Sequence, residues 1–539
     1  MGAVVPRRRA PAADPGAYKR WTLVAAILGS VIVYLDSTIV TVALPRIGRD
    51  LPARFVGVLE GQSYIYNGYL LTMSSLLILA GGLNDFYGRR RMFSIGVACF
   101  GLTSLLCGLA SNMEMLIFFR ILQGAAGALL VPGALSLITA TFSGEEQGRA
   151  FGIWSGTAAG VSLLGPFIGG MLVDTISWRV AFLINVPVVL LALWVIRRHV
   201  RESRDNLASG KFDIFGTIVT VLAIGGLSFG TIYGQQREWH APLAFVALGV
   251  GALAAASIPY LMTHSANPLV PPSLFRSRNF TVTNLSTFVI YGALAVAFYY
   301  LPLFMQGTLG YTAAGAGLAL VPGPLFLALF SSRIGALAAR YGPRWFMAVG
   351  PAVMMLGVLW LARVPSHSQA WAFLAHTPST FIPPRDYFSG FLPGLVIFGI
   401  GITIMVAPLT TTLMTSVPVH NSGIASAINN AIADVGPQLA VALVFVAITA
   451  SFYADLHARV PRLDTSSPEV RREIAPLNAV PSGTPAGEAA AARDASTSAF
   501  HLAMWVSAAL LVAGAVINGV GIRNPSPAGN ATAPAGAPS

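Results

Sequence analysis

Fourteen runs of mainly apolar residues, each about 20 residues or longer, recur along the chain, and they limit its fold more than any other feature. A run of that length crosses a bilayer as a helix. These runs are too long and too continuously apolar for strands, and lipid offers no partner to an unpaired backbone group. Their limits are 20–45, 61–83, 91–110, 114–140, 149–172, 179–197, 213–233, 242–263, 279–305, 313–338, 344–363, 389–415, 421–452 and 498–522. The expected fold class is an all-α polytopic membrane protein with 14 transmembrane helices. Composition agrees: 10% of residues are charged and 55% hydrophobic, whereas a soluble chain carries about 25% charge. An ordinary water-soluble enzyme is excluded.

The charge pattern orients these helices. Lys and Arg number 33 against 21 Asp and Glu, a net charge of +12. The basic residues lie mostly in short loops, not in one patch, so membrane topology explains them better than nucleic-acid binding. With the N-terminus inside, inner segments hold 20 basic residues and outer ones seven, once the long outer loop 453–497 is set aside. Both termini are therefore expected in the cytoplasm. The first run follows Arg7, Arg8, Arg9, Lys19 and Arg20 and is too long for a leader's apolar segment, so it reads as a retained span. Cys99 and Cys107 stand eight apart in one run, which makes a disulfide between them implausible.

Two inner loops share a pattern. Gly81-Gly-Leu83-Asn-Asp85-Phe-Tyr87-Gly88-Arg89-Arg90 is echoed by Gly335-Ala-Leu337-Ala-Ala339-Arg340-Tyr341-Gly342-Pro-Arg344, with Gly, Leu, Tyr, Gly and Arg at matched spacing and an offset of 254. Two six-helix halves separated by two extra helices would produce it, and duplicated halves around a midplane site are a transporter plan. The expected organisation is an N-terminal tail (1–19), a first bundle (20–200), a two-helix insertion (201–265), a second bundle with the long external loop 453–497 (266–522) and a disordered tail (523–539).

Within the runs, a few residues carry chemistry. Asp36 sits mid-run, where an acid costs about 2.5–3.5 kcal/mol even on insertion scales. It suits proton coupling or cation binding, or else serves as a structural acid paired with Arg or backbone. Arg120 is also intramembrane and needs a carboxylate or carbonyl partner. Asp36 is a candidate partner, and Gln123 lies on the same helix face. Asp434 is a third buried acid, poised between function and structure. At the inner end of the second run, Gly81, Asp85, Gly88, Arg89 and Arg90 suit a gate, with Asp85 capping the next helix or binding an Arg across the interface. Gly156, Gly160, Gly165, Pro166, Gly169 and Gly170 mark a bent, close-packed helix that governs how the halves rock. Tyr64, Asn67, Gln123, Tyr299, Tyr300, Phe304, Asn429 and Asn430 are candidate cavity lining. No Walker A loop and no HExxH helix is present. Gly226-Leu-Ser228-Phe-Gly230 fits GxSxG but lies in an apolar helix, where small-residue packing explains it.

These segments, in order, resemble the fourteen-spanner drug:proton antiporters of the major facilitator superfamily over residues 20–522. Leu35-Asp36-Ser-Thr38-Ile-Val-Thr-Val-Ala43-Leu44-Pro45 is similar to that family's first-helix motif, with Thr41 where Asn is usual. Gly81 to Arg91 resembles the loop 2–3 motif, with Phe86 at a commonly basic position. The Arg120–Ala128 stretch and Gly165-Pro166-x-x-Gly169-Gly170 resemble the fourth-helix and antiporter motifs. Trp178-Arg179-x-x-Phe182-x-x-Asn185-x-Pro187 and Ser277-Arg278-Asn279-Phe280 are also similar to family segments. Near Asn430, where the family often has a basic residue, this chain has Ala433 and Asp434.

The resemblance implies a proton-driven exporter of amphiphilic drugs or related small molecules, not an enzyme. It would act by alternating access, with substrate in a central cavity and Asp36 carrying the proton under the influence of Arg120. The proton gradient supplies the energy and no cofactor or metal is needed. The bilayer is the bacterial cytoplasmic membrane, and some members of the family pair with a periplasmic adaptor. A narrow-specificity metabolite transporter of the same fold, or a membrane-embedded sensor or enzyme, are the alternatives.

Overall fold

A computed structural model describes residues 15–52, 58–203, 213–237, 239–265, 268–374, 377–467, 470–471, 474–481 and 483–524. Among them the regular elements are all helical. In chain order they are α1 (Pro15–Asp50), α2 (Val58–Tyr87), α3 (Arg89–Gly108), α4 (Met113–Gly127), α5 (Leu130–Thr141), α6 (Gly144–Thr175), α7 (Val180–Leu183), α8 (Asn185–His199), α9 (Ile214–Gln236) and α10 (Pro242–His264). There follow α11 (Ser273–Arg276), α12 (Arg278–Leu303), α13 (Ala313–Ala319), α14 (Pro322–Tyr341), α15 (Arg344–Leu361), α16 (Leu392–Thr415), α17 (Ser422–Arg459) and α18 (Ala486–Gly521).

Among the described residues, thirteen stretches, some joining two of these helices, are long and apolar enough to cross a membrane. The remaining expected run, 149–172, lies inside α6, a 32-residue helix. Helix starts follow their local chemistry. The Asn112 side chain accepts the Met115 N–H at 2.8 Å and opens α4. Ser277 does the same for α12, and Thr312 for α13. The two repeat glycines have a backbone reason: Gly88 has φ 105° and Gly342 has φ 89°, a conformation that L side chains rarely adopt.

The ends of the long outer loop differ from expectation. α17 runs on to Arg459 and α18 begins at Ala486, so helix replaces much of 453–497. The Ala-rich segment after Pro485 favours helix. The described part of the connection is also packed. Ile474 and Leu477 are buried in the second-half core, and the Tyr453 hydroxyl meets the carbonyls of Arg471 and Ile474.

Three apolar clusters form the core. One is built wholly from residues 290–522 and one from residues 39–182. The third joins α1–α6 and α8 to α9, α11, α12, the end of α16 and the start of α17, so the two halves of the chain share a core at one end. That is the end where α2 meets α3 and α14 meets α15. The helices α9 and α10 pack on each other, and α9 also lies against α2 and α17. α10 turns Leu253, Phe245 and Val246 outward, as a lipid-facing helix does.

Candidate functional site

Asp36 is fully buried in α1 and is held by three side chains from two other helices. Its Oδ2 lies 2.5 Å from Arg120 Nη1. Its Oδ1 accepts from Gln123 Nε2 at 3.0 Å and from Asn185 Nδ2 at 3.1 Å. Arg120 and Gln123 sit three apart on α4, so one helix face presents both, and Arg120 Nη1 also donates to Gln123 Oε1 at 2.7 Å. Arg120 Nε donates to the Ile65 carbonyl of α2 at 3.2 Å, and its guanidinium lies 4.0 Å from the centre of the Tyr69 ring. Asn185 Nδ2 also reaches the Ser104 hydroxyl of α3 at 3.0 Å, and that hydroxyl donates to the Phe182 carbonyl. One carboxylate thus ties together α1, α2, α3, α4 and α8.

This arrangement has a definite electrostatic consequence. A buried ion pair is tolerable only when its remaining atoms are satisfied, and removing one partner leaves a charge that costs about 3–5 kcal/mol. A proton arriving on Asp36 would leave the Arg120 charge unpaired in a site with no exposed atoms. Among the described residues, Arg120 Nη2, Asn185 Oδ1 and the Tyr69 hydroxyl already lack hydrogen-bond partners. Loss of the pairing charge would therefore favour a different arrangement of these helices.

The Asp85 end forms the second part. Asp85 Oδ1 accepts from Arg89 Nη2 at 3.1 Å and from the Gly423 N–H at 3.1 Å, and Oδ2 accepts from the Ile424 N–H at 2.9 Å. The carboxylate thus caps the first turn of α17, where the helix dipole favours negative charge. Arg89 is buried and donates to the Val419 carbonyl and, at 3.1 Å, to Ser203 Oγ. Neither expected alternative, a cap on the next helix or an Arg across the interface, describes Asp85: Arg89 belongs to the same half, and the group across the interface is the N-terminus of α17. Glu202 caps the other side, accepting from the N–H groups of Arg90 and Arg91 at 3.1 Å each beside Gly88. Gly81 lies against the Gly423 carbonyl and Ala427, so any side chain there would collide with α17.

The glycines of α6 serve two neighbours. Gly148, Gly152 and Gly156 face Gly335, Ser331 and Ala328 of α14, and Ser331 Oγ donates to the Gly152 carbonyl at 2.6 Å. Gly160, one turn further, meets only Ala328, at 3.9 Å from an added Cβ. Gly165 and Gly169 instead lie on Thr38 and Ile39 of α1, next to Asp36. α6 continues as helix through Pro166 and Gly170, whose surroundings lie outside the described residues.

The remaining candidates are dispersed. Gln123 belongs to the Asp36 centre, not to a cavity wall, because both its polar atoms are taken by the ion pair. Tyr64 and Asn67 line an apolar cleft of about 140 Å³ between α2, α4 and the inserted α9, with Phe229 and Tyr233 opposite. Tyr300 is buried and donates to the Val441 carbonyl at 3.0 Å, Phe304 stacks on Phe500, and Tyr299 points outward. These three are packing and surface residues, a correction to their expected cavity role. Asn429 donates to Thr287 and Asn284 of α12, and Asn430 bonds back to Ser426. Asp434 comes to the interface between the halves, where the Ser74 hydroxyl of α2 donates to its Oδ2 at 3.0 Å. Asn185 and Ser104 complete the Asp36 centre without having been singled out for it. Polar side chains inside apolar runs were the available signal.

The family model of the Major Facilitator Superfamily matches residues 26–441. The chain belongs to the major facilitator superfamily. The multidrug resistance protein Stp of Mycobacterium tuberculosis (strain CDC 1551 / Oshkosh) is 33% identical over 84% of this chain and 80% of its own length. The puromycin resistance protein pur8 of Streptomyces alboniger is 33% identical over 84% and 87%. The tetracenomycin C resistance and export protein of Streptomyces glaucescens is 30% identical over 92% and 89%. Among solved structures, the human organic anion transporter MFSD10 (TETRAN) aligns with a TM-score of 0.55 at 11% identity, covering 93% of this chain and 100% of that one. The proton:xylose symporter XylE aligns at 0.54 and 14%, covering 93% and 95%. At such identities these structures speak to the fold alone. This is a multi-pass transporter of small molecules, and its similar relatives are named for drug and antibiotic resistance.

Proposed function

We propose that this superfamily member is a proton-driven exporter of amphiphilic small molecules in a bacterial cytoplasmic membrane, with both termini on the cytoplasmic side. The observation that carries this is the fully buried Asp36–Arg120 pair, joined by Gln123 and Asn185 across α1, α4 and α8. A carboxylate in this setting changes its protonation only with a change in the packing around it. The resistance and export relatives support an outward direction and a drug-like substrate.

In the orientation favoured by the basic loops, the Asp85 end faces the cytoplasm. There α2 is locked to α17, and α6 to α14. Contact between α6 and α14 fades by Gly160. The conformation is then closed to the cytoplasm, the state in which an exporter releases substrate and collects protons. A proton taken up by Asp36 loosens its hold on Arg120, shifts α1 and α4, and favours release of the Asp85 lock. One charge moving through about 150 mV supplies roughly 3.5 kcal/mol, equivalent to a gradient of a few hundredfold.

The test is the purified protein in liposomes with a pH-sensitive dye inside. A panel of cationic and neutral amphiphiles is added under an imposed pH gradient. Substrate-triggered proton movement is expected. Proton movement absent with every amphiphile but present with one hydrophilic metabolite would replace this reading with a narrow-specificity transporter.

A further inference from the structure

The start of α3 is capped from the far end of its own half. The residue before the helix is Gly88, which has no side chain to offer, so the first N–H groups need partners from elsewhere. The strap that follows α8 supplies them. The Arg89 N–H donates to the Ser203 carbonyl at 3.0 Å, and the Glu202 carboxylate accepts from the N–H groups of Arg90 and Arg91 at 3.1 Å each. Arg90 Nη2 in turn donates to the Arg197 carbonyl, in the last turn of α8, at 3.0 Å.

The second half repeats this joint. Gly342 and Arg344 stand 254 residues after Gly88 and Arg90. The Arg344 N–H donates to Asn524 Oδ1 at 3.1 Å, and Arg344 Nε donates to the Gly519 carbonyl, in the last turn of α18, at 2.6 Å. Gly519 and Asn524 stand 322 residues after Arg197 and Glu202, and the buried Val200 and Ile522 keep the same offset. Each capping side chain lies beside its glycine, Glu202 at Gly88 and Asn524 at Gly342. The joint is thus a duplicated part of the scaffold, tying α8 to α3 and α18 to α15.

The two copies differ in what they hold. Ala339 and Pro343 occupy the places of Asp85 and Arg89 in the second copy, and a proline has no N–H to give. In the first copy Arg89 is buried, and its guanidinium bridges Asp85 and the Val419 carbonyl just before α17. Arg89 Nη1 also rests on Ser203 Oγ at 3.1 Å. The strap therefore grips Arg89 by its backbone and by its guanidinium. An arginine side chain loses much rotamer freedom when it is pinned. Held by the strap, Arg89 has lost that freedom before the halves meet, so closing the end costs less. Without the strap, opening would set the side chain free and the open state would gain.

We propose that Glu202 and Ser203 are positioning residues of the Asp85 lock: they hold Arg89 ready for the Val419 carbonyl and so favour the state closed at this end, whereas Asn524 serves its own half alone. The inference rests on the Asp85 lock of the exporter reading and is independent of the molecule carried.

The experiment uses the full chain in nanodiscs with Cys99→Ser, Tyr87→Cys and Val419→Cys, which leaves the buried Cys107 as the remaining native thiol. Positions 87 and 419 are exposed, and spin labels there report the separation of this end. Ser203→Ala and Glu202→Ala are each expected to raise the separated population about threefold or more, less than Asp85→Asn does. Glu202→Gln keeps one accepting oxygen and is expected to fall between Glu202→Ala and the wild type. Asn524→Ala is expected to lower thermal stability and leave the distance distribution unchanged. Unchanged distances in both Ser203→Ala and Glu202→Ala overturn the proposal, and so does an equal shift in Asn524→Ala. Should Glu202→Ala fail to fold, Ser203→Ala decides, since it removes one hydroxyl and keeps the cap. Asp85→Asn tells the two readings apart. If it opens the end and the strap variants do not, this proposal alone fails; if it leaves the end closed, the lock fails and the proposal with it.

Discussion

Asp36 Oδ2 and Arg120 Nη1 lie 2.5 Å apart with neither side chain exposed. Removing either charge alone strands the other. Arg120→Ala or Asp36→Ala is expected to lower stability by about 3–5 kcal/mol. The double variant Asp36→Asn/Arg120→Gln is expected to regain most of it. Thermal unfolding of the detergent-solubilised protein measures this, and additive losses in the double variant would show that the two side chains do not act as a pair.

Arg120→Lys is not conservative here. The guanidinium uses Nε for the Ile65 carbonyl and Nη1 for Asp36 and Gln123 while stacking on Tyr69. A single ammonium cannot fill these places. Transport is expected to fall at least tenfold while the protein still reaches the membrane. Near-normal transport by Arg120→Lys would mean that charge alone suffices.

Asp85 joins α2 to α17 by accepting two N–H groups from α17 while also accepting from Arg89. Hydrogen bonds to a charged group contribute about 1.5–3 kcal/mol each. Asp85→Asn is therefore expected to shift the population toward separation of this end by about tenfold or more. Spin labels at Tyr87 and Val419, both exposed, report the distance. An unchanged distance distribution would remove Asp85 from the gate.

Close backbone approach makes a sharper test of the same end. A Cβ at Gly152 would lie 2.5 Å from the Ser331 carbonyl oxygen, and one at Gly317 meets nothing within 4 Å. Gly152→Ala is expected to reduce export and open the labelled end, with Gly317→Ala as a tolerated control. Equal effects from both would contradict a role for the α6–α14 contact.

How much of this was legible beforehand depends on range. The helices follow from run length and apolarity, which are local properties. The pairing of Asp36 with Arg120 was suggested because each is costly alone in a membrane, a constraint that sequence exposes. Asn185 was harder to place, since an uncharged amide in a membrane helix is a weaker signal than a charge and its partner is 149 residues away. Asp85 stood out beside its Arg neighbours, but its partners on α17 are backbone N–H groups, which every residue has and which therefore leave no mark in the sequence. Tyr300 and Phe304 read as cavity lining because an aromatic side chain alone does not reveal whether it faces space or Phe500. The outer connection was overextended because its Pro and charge obscured an Ala-rich helix start at Ala486.

The most direct measurement separates exchange from proton drive. Proteoliposomes carrying wild type or Asp36→Asn are assayed for substrate–substrate exchange without a gradient and for uphill accumulation under an imposed pH gradient. Asp36→Asn is expected to keep exchange and lose accumulation. Accumulation at the wild-type level in Asp36→Asn would contradict the assignment of proton coupling to the Asp36–Arg120 centre.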